Sequence, residues 1–316
     1  MARISGTFST YEAIGQRESL SNMIALVARE DTPALSNFKS GTASATAEEW
    51  QTDTLRAAAT NAKVEGDTFS FSAPTPTVRV KTYCQIATET ISVTRTDDVV
   101  KKAGRSTDLG YQIIKKTKEL KRDMDYAIMQ PQASVAGNST TARKTAGLPS
   151  WLTSNVSRGS GGANGGYSAG IVAAPTDGTT RAFTETILKA VHKSAWDNGG
   201  RPNMLYTNST QKQVFSSFAG IAVNRVNQPR TGQATIIGAA DVYQGDFGLL
   251  TCVLEPQMRQ VEVMLVDPSM VEVRYLTKLQ IEDIARIADS KEKSLVTEFC
   301  LVVNNQKAHG ICADLT

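Results

Sequence analysis

The segment Gly166-Tyr167-Ser168-Ala169-Gly170 matches the G-x-S-x-G nucleophile elbow, and Asp267 and His309 follow it in the chain order of hydrolases. A serine of this kind attacks an acyl carbon only when a histidine takes its proton and a carboxylate orients that histidine. The elbow must also follow a buried strand and open a helix. Here a Gly/Ser-rich stretch precedes it and Ile171-Val172-Ala173-Ala174-Pro175 follows. A serine hydrolase using Ser168 and His309 is therefore kept as an alternative reading only, because glycine-rich loops generate this pattern by chance.

Other catalytic material is scarce. His192 and His309 are the two histidines, and His192 falls on a helical stretch, Ala182 to Asn198, where a surface or hydrogen-bond-satisfied side chain is expected. Cys84, Cys252, Cys300 and Cys312 lie 168, 48 and 12 residues apart, without metal-ligand or C-x-x-C spacing, so they read as small buried hydrophobes. S-x-x-K occurs at Ser36, Ser209 and Ser290 without the motifs that accompany it in penicillin-binding enzymes. There is no phosphate loop, H-E-x-x-H, G-x-G-x-x-G or calcium loop. The sequence thus assigns no catalytic residue, no cofactor and no metal site, and the expected class is non-enzymatic.

A second chemistry lies in charge. From Lys101 to Arg122 there are eight basic residues against Asp108 and Glu119. That local excess surpasses the net charge of the whole chain, +3 from 34 Lys+Arg and 31 Asp+Glu. A solvated helix face with pairs such as Lys115 to Glu119 explains it; contact with nucleic-acid phosphates is the other reading, and a nucleic-acid-binding protein using Lys101 to Arg122 is a second alternative function.

The elements that would position these groups follow from periodicity and breakers. Leu20, Met23, Ile24 and Val27 share one face of a helix over Arg17 to Arg29, which Asp31-Thr32-Pro33 ends. Glu48 to Asp53 and Thr77 to Tyr83 read as the legs of a long hairpin, with Pro74 and Pro76 at an edge and a polar stretch between. An isolated two-stranded hairpin is marginal in water, so it needs something to lie against. Asp108 is placed to cap a helix running to Gln130, with Leu109, Ile113, Leu120, Met124 and Ile128 in one stripe and Pro131 as the stop. Ser157 to Gly170 has six glycines in fourteen residues and reads as a loop or linker, not core. Beyond it come helices at Ala182 to Asn198 and Thr210 to Phe218, and strands at Asn203 to Tyr206, Gly248 to Leu254 and Val261 to Val266. The end is β again, with Val271 to Tyr275 alternating and Leu295 to Val303 a longer apolar run.

A chain of 316 residues with 41% hydrophobic content can bury a sizeable core. Its apolar runs fall short of the roughly 18 residues a membrane span needs, and no apolar signal core follows Met1-Ala2-Arg3. A soluble protein made in a cytosol, with no membrane partner, is expected. An adhesive arm, a projecting hairpin and a long helix describe several surfaces that need partners, which self-assembly explains better than chemistry does.

The sequence resembles the tailed-bacteriophage major capsid proteins of the HK97-type fold, in their podovirus-related branch. The resemblance is carried by Gly15-x-Arg17-Glu18-x-Leu20 before Asp31-Thr32-Pro33, by Glu49-Trp50-x-x-Asp53, Glu65-Gly66 and Glu119-Leu120-x-Arg122-Asp123. Asp267-Pro268 and the ending Glu298-Phe299-x-Leu301-x-Val303-x-Asn305-x-x-Ala308-His309-Gly310 complete it. It implies an α+β fold with an N-arm over 1–46 and an E-loop over 47–84. A P-domain over 85–150 would carry a spine helix at about 108–130, with an A-domain over 151–270 and a return to the P-domain over 271–316. The implied function is a head protein assembling into hexamers and pentamers of an icosahedral shell, made in the bacterial host cytoplasm. The implied partners are other copies of itself, non-specifically held double-stranded DNA, a portal protein, and scaffold or cement (decoration) proteins. Inter-subunit contacts would come from Arg17, Glu18, Leu20, Ile24, Glu49, Trp50, Asp53, Val78 and Val80, and DNA-facing charge from Lys115, Lys116, Lys118, Lys121 and Arg122. No Lys to Asn crosslink is assigned to Lys63, Asn304 or Asn305.

Overall fold

The computed structural model describes residues 28–69, 71–218, 241–285 and 288–316. Its first half holds α1 (Pro33–Asn37), β1 (Lys39–Thr42), β2 (Ala47–Thr52), β3 (Val78–Tyr83), β4 (Gln85–Thr94), α2 (Arg95–Val99), α3 (Asp108–Met129) and α4 (Leu148–Trp151). The second holds β5 (Val156–Ser157), β6 (Gly166–Ser168), β7 (Ile171–Ala173), α5 (Glu185–Asp197), β8 (Met204–Thr207), α6 (Ser209–Ser216), β9 (Val242–Gly245) and β10 (Gly248–Leu254). Then follow β11 (Val263–Val266), β12 (Val271–Asp283), β13 (Ser290–Val303) and β14 (Gly310–Cys312). The expected helix over Arg17 to Arg29 lies almost wholly outside the described residues.

Pro33 is a start signal as well as a stop. Its fixed φ suits the first helical position and it has no N–H to leave orphaned, so Thr32-Pro33 opens α1, where a breaker alone was expected. At α3 the expected span is met to within one residue, but Asp108 is not its cap. Thr107 occupies that position, and Asp108 turns its carboxylate to Lys102 at 2.8 Å and Arg105 at 2.7 Å. Those partners, Lys102 first, hold its pKa below the usual carboxylate value. At about 1.5 Å per residue the helix is a rod of about 33 Å, and Gln130-Pro131 ends it because proline can neither donate to a further turn nor tolerate helical geometry before it.

Two sheets take the two halves of this frame. The four-stranded sheet runs β1-β12-β13-β4, with β1 parallel to β12 and the remaining pairs antiparallel. The six-stranded sheet runs β5-β14-β11-β8-β10-β9, so the C-terminal β14 closes against strands from the middle of the chain. α3 lies on the first sheet: Leu120 is buried with Ile91, Val93 and Leu295, and Met124, Ala127, Ile128 and Met129 enter the main core beside Phe299, Leu301 and Val303. Burying each large side chain of this kind stabilises by roughly 1.5 to 3 kcal/mol. α5 and α6 cover the second sheet through Leu188, Val191 and Phe215, packed on Leu205, Leu250 and Leu265.

Packing decides between alternatives that the sequence left open. Of loop and linker, the glycine-rich stretch is a loop held to the fold: Gly159 donates its N–H to Asp314 Oδ2 at 2.9 Å, and Ala163 pairs with Thr176. A Cβ on Gly159 would stand 1.9 Å from the Thr179 carbonyl oxygen, so glycine is there for close backbone approach. His192 is not at the surface. It is buried edge-on to the Phe247 ring with centroids 5.7 Å apart, and burial lowers its pKa.

Candidate assembly surfaces

The β2–β3 ladder pairs Ala47 with Tyr83 through to Thr52 with Val78, placing Trp50 opposite Val80. Alternation then decides what each residue can touch. Val80 is buried, and Trp50 is half-buried with its ring 5.5 Å from Trp151, which in turn stacks on Tyr167 at 6.1 Å. Both therefore pack inside their own chain. Val78 faces outward, 59% exposed. Glu49 ion-pairs with Arg79, and Asp53 is exposed and accepts the Thr54 N–H at 2.8 Å. The base of the hairpin is held to the sheet by Arg274, which bonds Glu48 at 2.6 Å and Glu272 at 2.9 Å.

Beyond Thr52 the hairpin opens into 53–77, which carries no strand or helix among its described residues. Leu55, Val64, Phe69 and Phe71 stand there 99%, 80%, 93% and 98% exposed. The sequence reading named the strand residues and missed these four, although apolar side chains in a polar loop were the available signal. Single exposed apolar residues are ordinary, but two nearly bare phenylalanines two positions apart call for a partner surface.

On α3 and in the loop before it, much of the basic charge is engaged in ion pairs, two of them with acids distant in sequence, Glu89 and Glu30. Lys116 meets Glu89 at 3.1 Å and Glu119 at 2.8 Å, Lys118 meets Glu30 at 2.5 Å, and Lys102 meets Asp97 at 2.5 Å. Hydrogen bonds to Glu119 and Glu89 raise the Lys116 pKa, so it stays charged but engaged. Lys115 stands 3.9 Å from Glu119. Lys121 and Arg122 form no ion pair among the described residues. Arg17, Glu18, Leu20 and Ile24 lie outside the described residues.

The catalytic constellation does not assemble. Gly166–Gly170 is strand β6 and the two-residue turn of the β6–β7 hairpin, with Ala169 at φ 47° and Gly170 at φ 88°, not a strand-to-helix elbow. Ser168 sits exposed on that hairpin. His309 is fully buried and its Nδ1 accepts the Asp267 backbone N–H at 3.2 Å, which leaves the proton on Nε2. Burial lowers its pKa to about 4, so it is a neutral structural group.

Comparison with known proteins fixes the lineage. The family model described as the SU10 major capsid protein matches residues 4–316. The chain belongs to the SU10 major capsid protein family. Membership makes it a phage major capsid protein, a component of the virion. A major capsid protein of Escherichia phage Phieco32 is 29% identical over 201 residues, 60% of this chain and 56% of that one, so the chain matches little more than half of that relative's length. Among solved structures, the Cyanophage A-1(L) capsid asymmetric unit aligns over 98% of each chain with a TM-score of 0.71 at 12% identity. The capsid of a native GTA particle aligns over 97% of this chain and 98% of that one, with a TM-score of 0.64 at 13% identity. At these identities the likeness is one of fold, and the α+β arrangement is of the HK97 type.

The capsid protein also buries a carboxyl pair that sequence reading did not find. Asp125 of α3 and Glu255, just after β10, are both inaccessible. Glu255 Oε2 accepts the Ala34 N–H at 3.1 Å, and Asp125 Oδ1 accepts the Leu35 N–H at 3.0 Å. Two carboxyls in one dry site cannot both ionise, so burial and the Asp125 neighbour push Glu255 up to about 9. Glu255 is therefore protonated, and the two carboxyls tie the first helix of the described chain to α3 and to the second sheet through the Ala34 and Leu35 N–H groups. Nothing in local sequence pairs residues 130 positions apart.

Proposed function

We propose that many copies of this capsid protein form hexamers and pentamers that close into an icosahedral head around double-stranded DNA. The observation that carries this is the match of the family model across residues 4–316. Symmetry lets one chain present the same surfaces repeatedly, which is how a single protein closes a shell. The proposed partition is an N-arm over 1–46, an E-loop over 47–84, a P-domain over 85–150 and 271–316 with α3 as spine, and an A-domain over 151–270. The exposed Leu55, Phe69 and Phe71 support an E-loop that docks on a neighbouring copy, since burying them removes apolar surface from water. Trp50 and Val80 then fix the root of that loop within its own subunit, while Val78, Asp53 and the Glu49–Arg79 pair remain outward to meet a neighbour. Arg17, Glu18, Leu20 and Ile24 are proposed to tie the arm across another copy.

Lys121 and Arg122, with Lys115, are the residues of α3 proposed to face packaged DNA as non-specific counter-charge; Lys116 and Lys118 contribute through ion pairs that solvent still reaches. The role is mechanical and not catalytic, with synthesis in the host cytoplasm and with a portal protein, scaffold and decoration proteins as further partners. Expression of the full chain in bacteria, followed by light-scattering chromatography and negative-stain microscopy, tests the reading. Rings or closed shells are expected. Deletion of 56–76 should leave a folded subunit with native circular dichroism and no shells; normal shells from that variant would overturn the docking role.

A further inference from the structure

β13 pairs with β4 in a register that ends with Phe299 opposite Gln85, and continuing it by one residue brings Cys300 to Cys84. The two cysteines share a small buried cluster with Ala43 and Val302, with Trp50 and Leu276 packed against it, and neither has accessible surface. Cys84 is also the joint of the hairpin. Its N–H leaves β13 and donates to the Thr46 carbonyl at 2.8 Å, so β3 on one side of it belongs to the hairpin and β4 on the other to the four-stranded sheet. A cross-strand pair without its own ladder bond brings Cα atoms to about 4.5 Å, inside the roughly 4.4 to 6.8 Å range that a disulfide spans.

We infer that Cys84 and Cys300 are a latent disulfide site which, once oxidised, bolts the root of the projecting hairpin to β13. The Cys84 thiol donates to the Ala45 carbonyl at 3.4 Å, and Cys300 is packed beside it in the same cluster. The Cys300 thiol lowers the Cys84 pKa, while Cys84 and burial raise that of Cys300, so Cys84 gives up its proton more readily of the two and Cys300 is the resolving thiol. With a peroxide as oxidant, the Cys84 sulfur attacks the O–O bond, giving a sulfenic acid and one water. The Cys300 sulfur then displaces the sulfenic oxygen as a second water, forming S–S while the peroxide takes up the two electrons. Such a bond needs the oxidising conditions a particle meets outside a cell and would stay open in a reducing cytosol.

The test uses the intact native chain treated with hydrogen peroxide, then denatured, alkylated and digested. The expected result is one linked peptide pair containing Cys84 and Cys300, lost in Cys84→Ser and in Cys300→Ser and restored to free thiols by reductant. Hydrogen exchange at amides 46–50 and 80–84 should slow several-fold on oxidation. Oxidation confined to the half-buried Cys252, or a Cys84–Cys300 link that forms only in denaturant, would overturn the site. A link formed natively without slower exchange at those amides would overturn the latch.

Discussion

The root and the tip of one hairpin obey opposite rules. At the root, the inward positions are settled by the chain's own atoms: Val80 is buried, Trp50 lies on Trp151, and Arg274 clamps Glu48. At the tip, 53–77 leaves Leu55, Phe69 and Phe71 almost bare to water. A folded subunit tolerates that exposure because its core lies in the sheets and α3, and the proposed docking on a neighbouring copy is what would cover the tip. Stability and assembly are thus separable within about thirty residues, and substitutions should divide them.

The largest effect on stability is expected at Phe299, fully buried where β13 meets the main core. Phe299→Ala should cost about 3 to 5 kcal/mol, read as a fall in the denaturant midpoint with the slope unchanged. Trp50→Ala should follow, at about 2 to 3 kcal/mol, because the ring is only half-buried and loses the Trp151 contact. A loss below about 1 kcal/mol there would place Trp50 with the tip and break the division between root and tip.

A pH titration sharpens the same contrast. Glu255 has a pKa raised from its ordinary value to about 9, so the folded state holds a proton that the unfolded state has released. Its contribution is fully present below the unfolded pKa and is lost as pH rises through the folded one. The Glu255 contribution to the unfolding free energy should therefore fall from about pH 4.5 to about 9, and Glu255→Gln should remove that decline. His309 works in the other direction: burial lowers its pKa from 6.5 to about 4, so its share is lost as pH falls through that window.

The smallest stability effect is expected at the tip. Phe69→Ser with Phe71→Ser should change the unfolding free energy by less than about 0.5 kcal/mol while sharply reducing shell formation by microscopy. A large drop in stability from that double variant would show that the tip packs on its own subunit.

α3 was legible because its apolar stripe repeats at helical spacing and Pro131 marks its end. The β13 core run was legible as Leu295 to Val303, but the strand begins at Ser290, where a polar stretch joins the ladder through β4. Local patterning likewise left the glycine run open between loop and linker and read Pro33 as a breaker alone, since neither shows the backbone it approaches. The basic stretch looked unneutralised because its acids, Glu30, Glu89 and Asp97, lie outside it.

The sequence by itself determined the long helix, the hairpin legs, the poverty of catalytic residues and the capsid lineage, all of which rest on local periodicity, composition or ordered short motifs. Only the folded chain decided that Trp50 turns inward, that His309 is buried while Ser168 is exposed, that Asp125 and Glu255 are buried on α1, and that Cys84 and Cys300 share one buried cluster. Each of these rests on contacts between residues far apart in the chain, and a one-dimensional pattern does not encode which distant partner will remove a group from water.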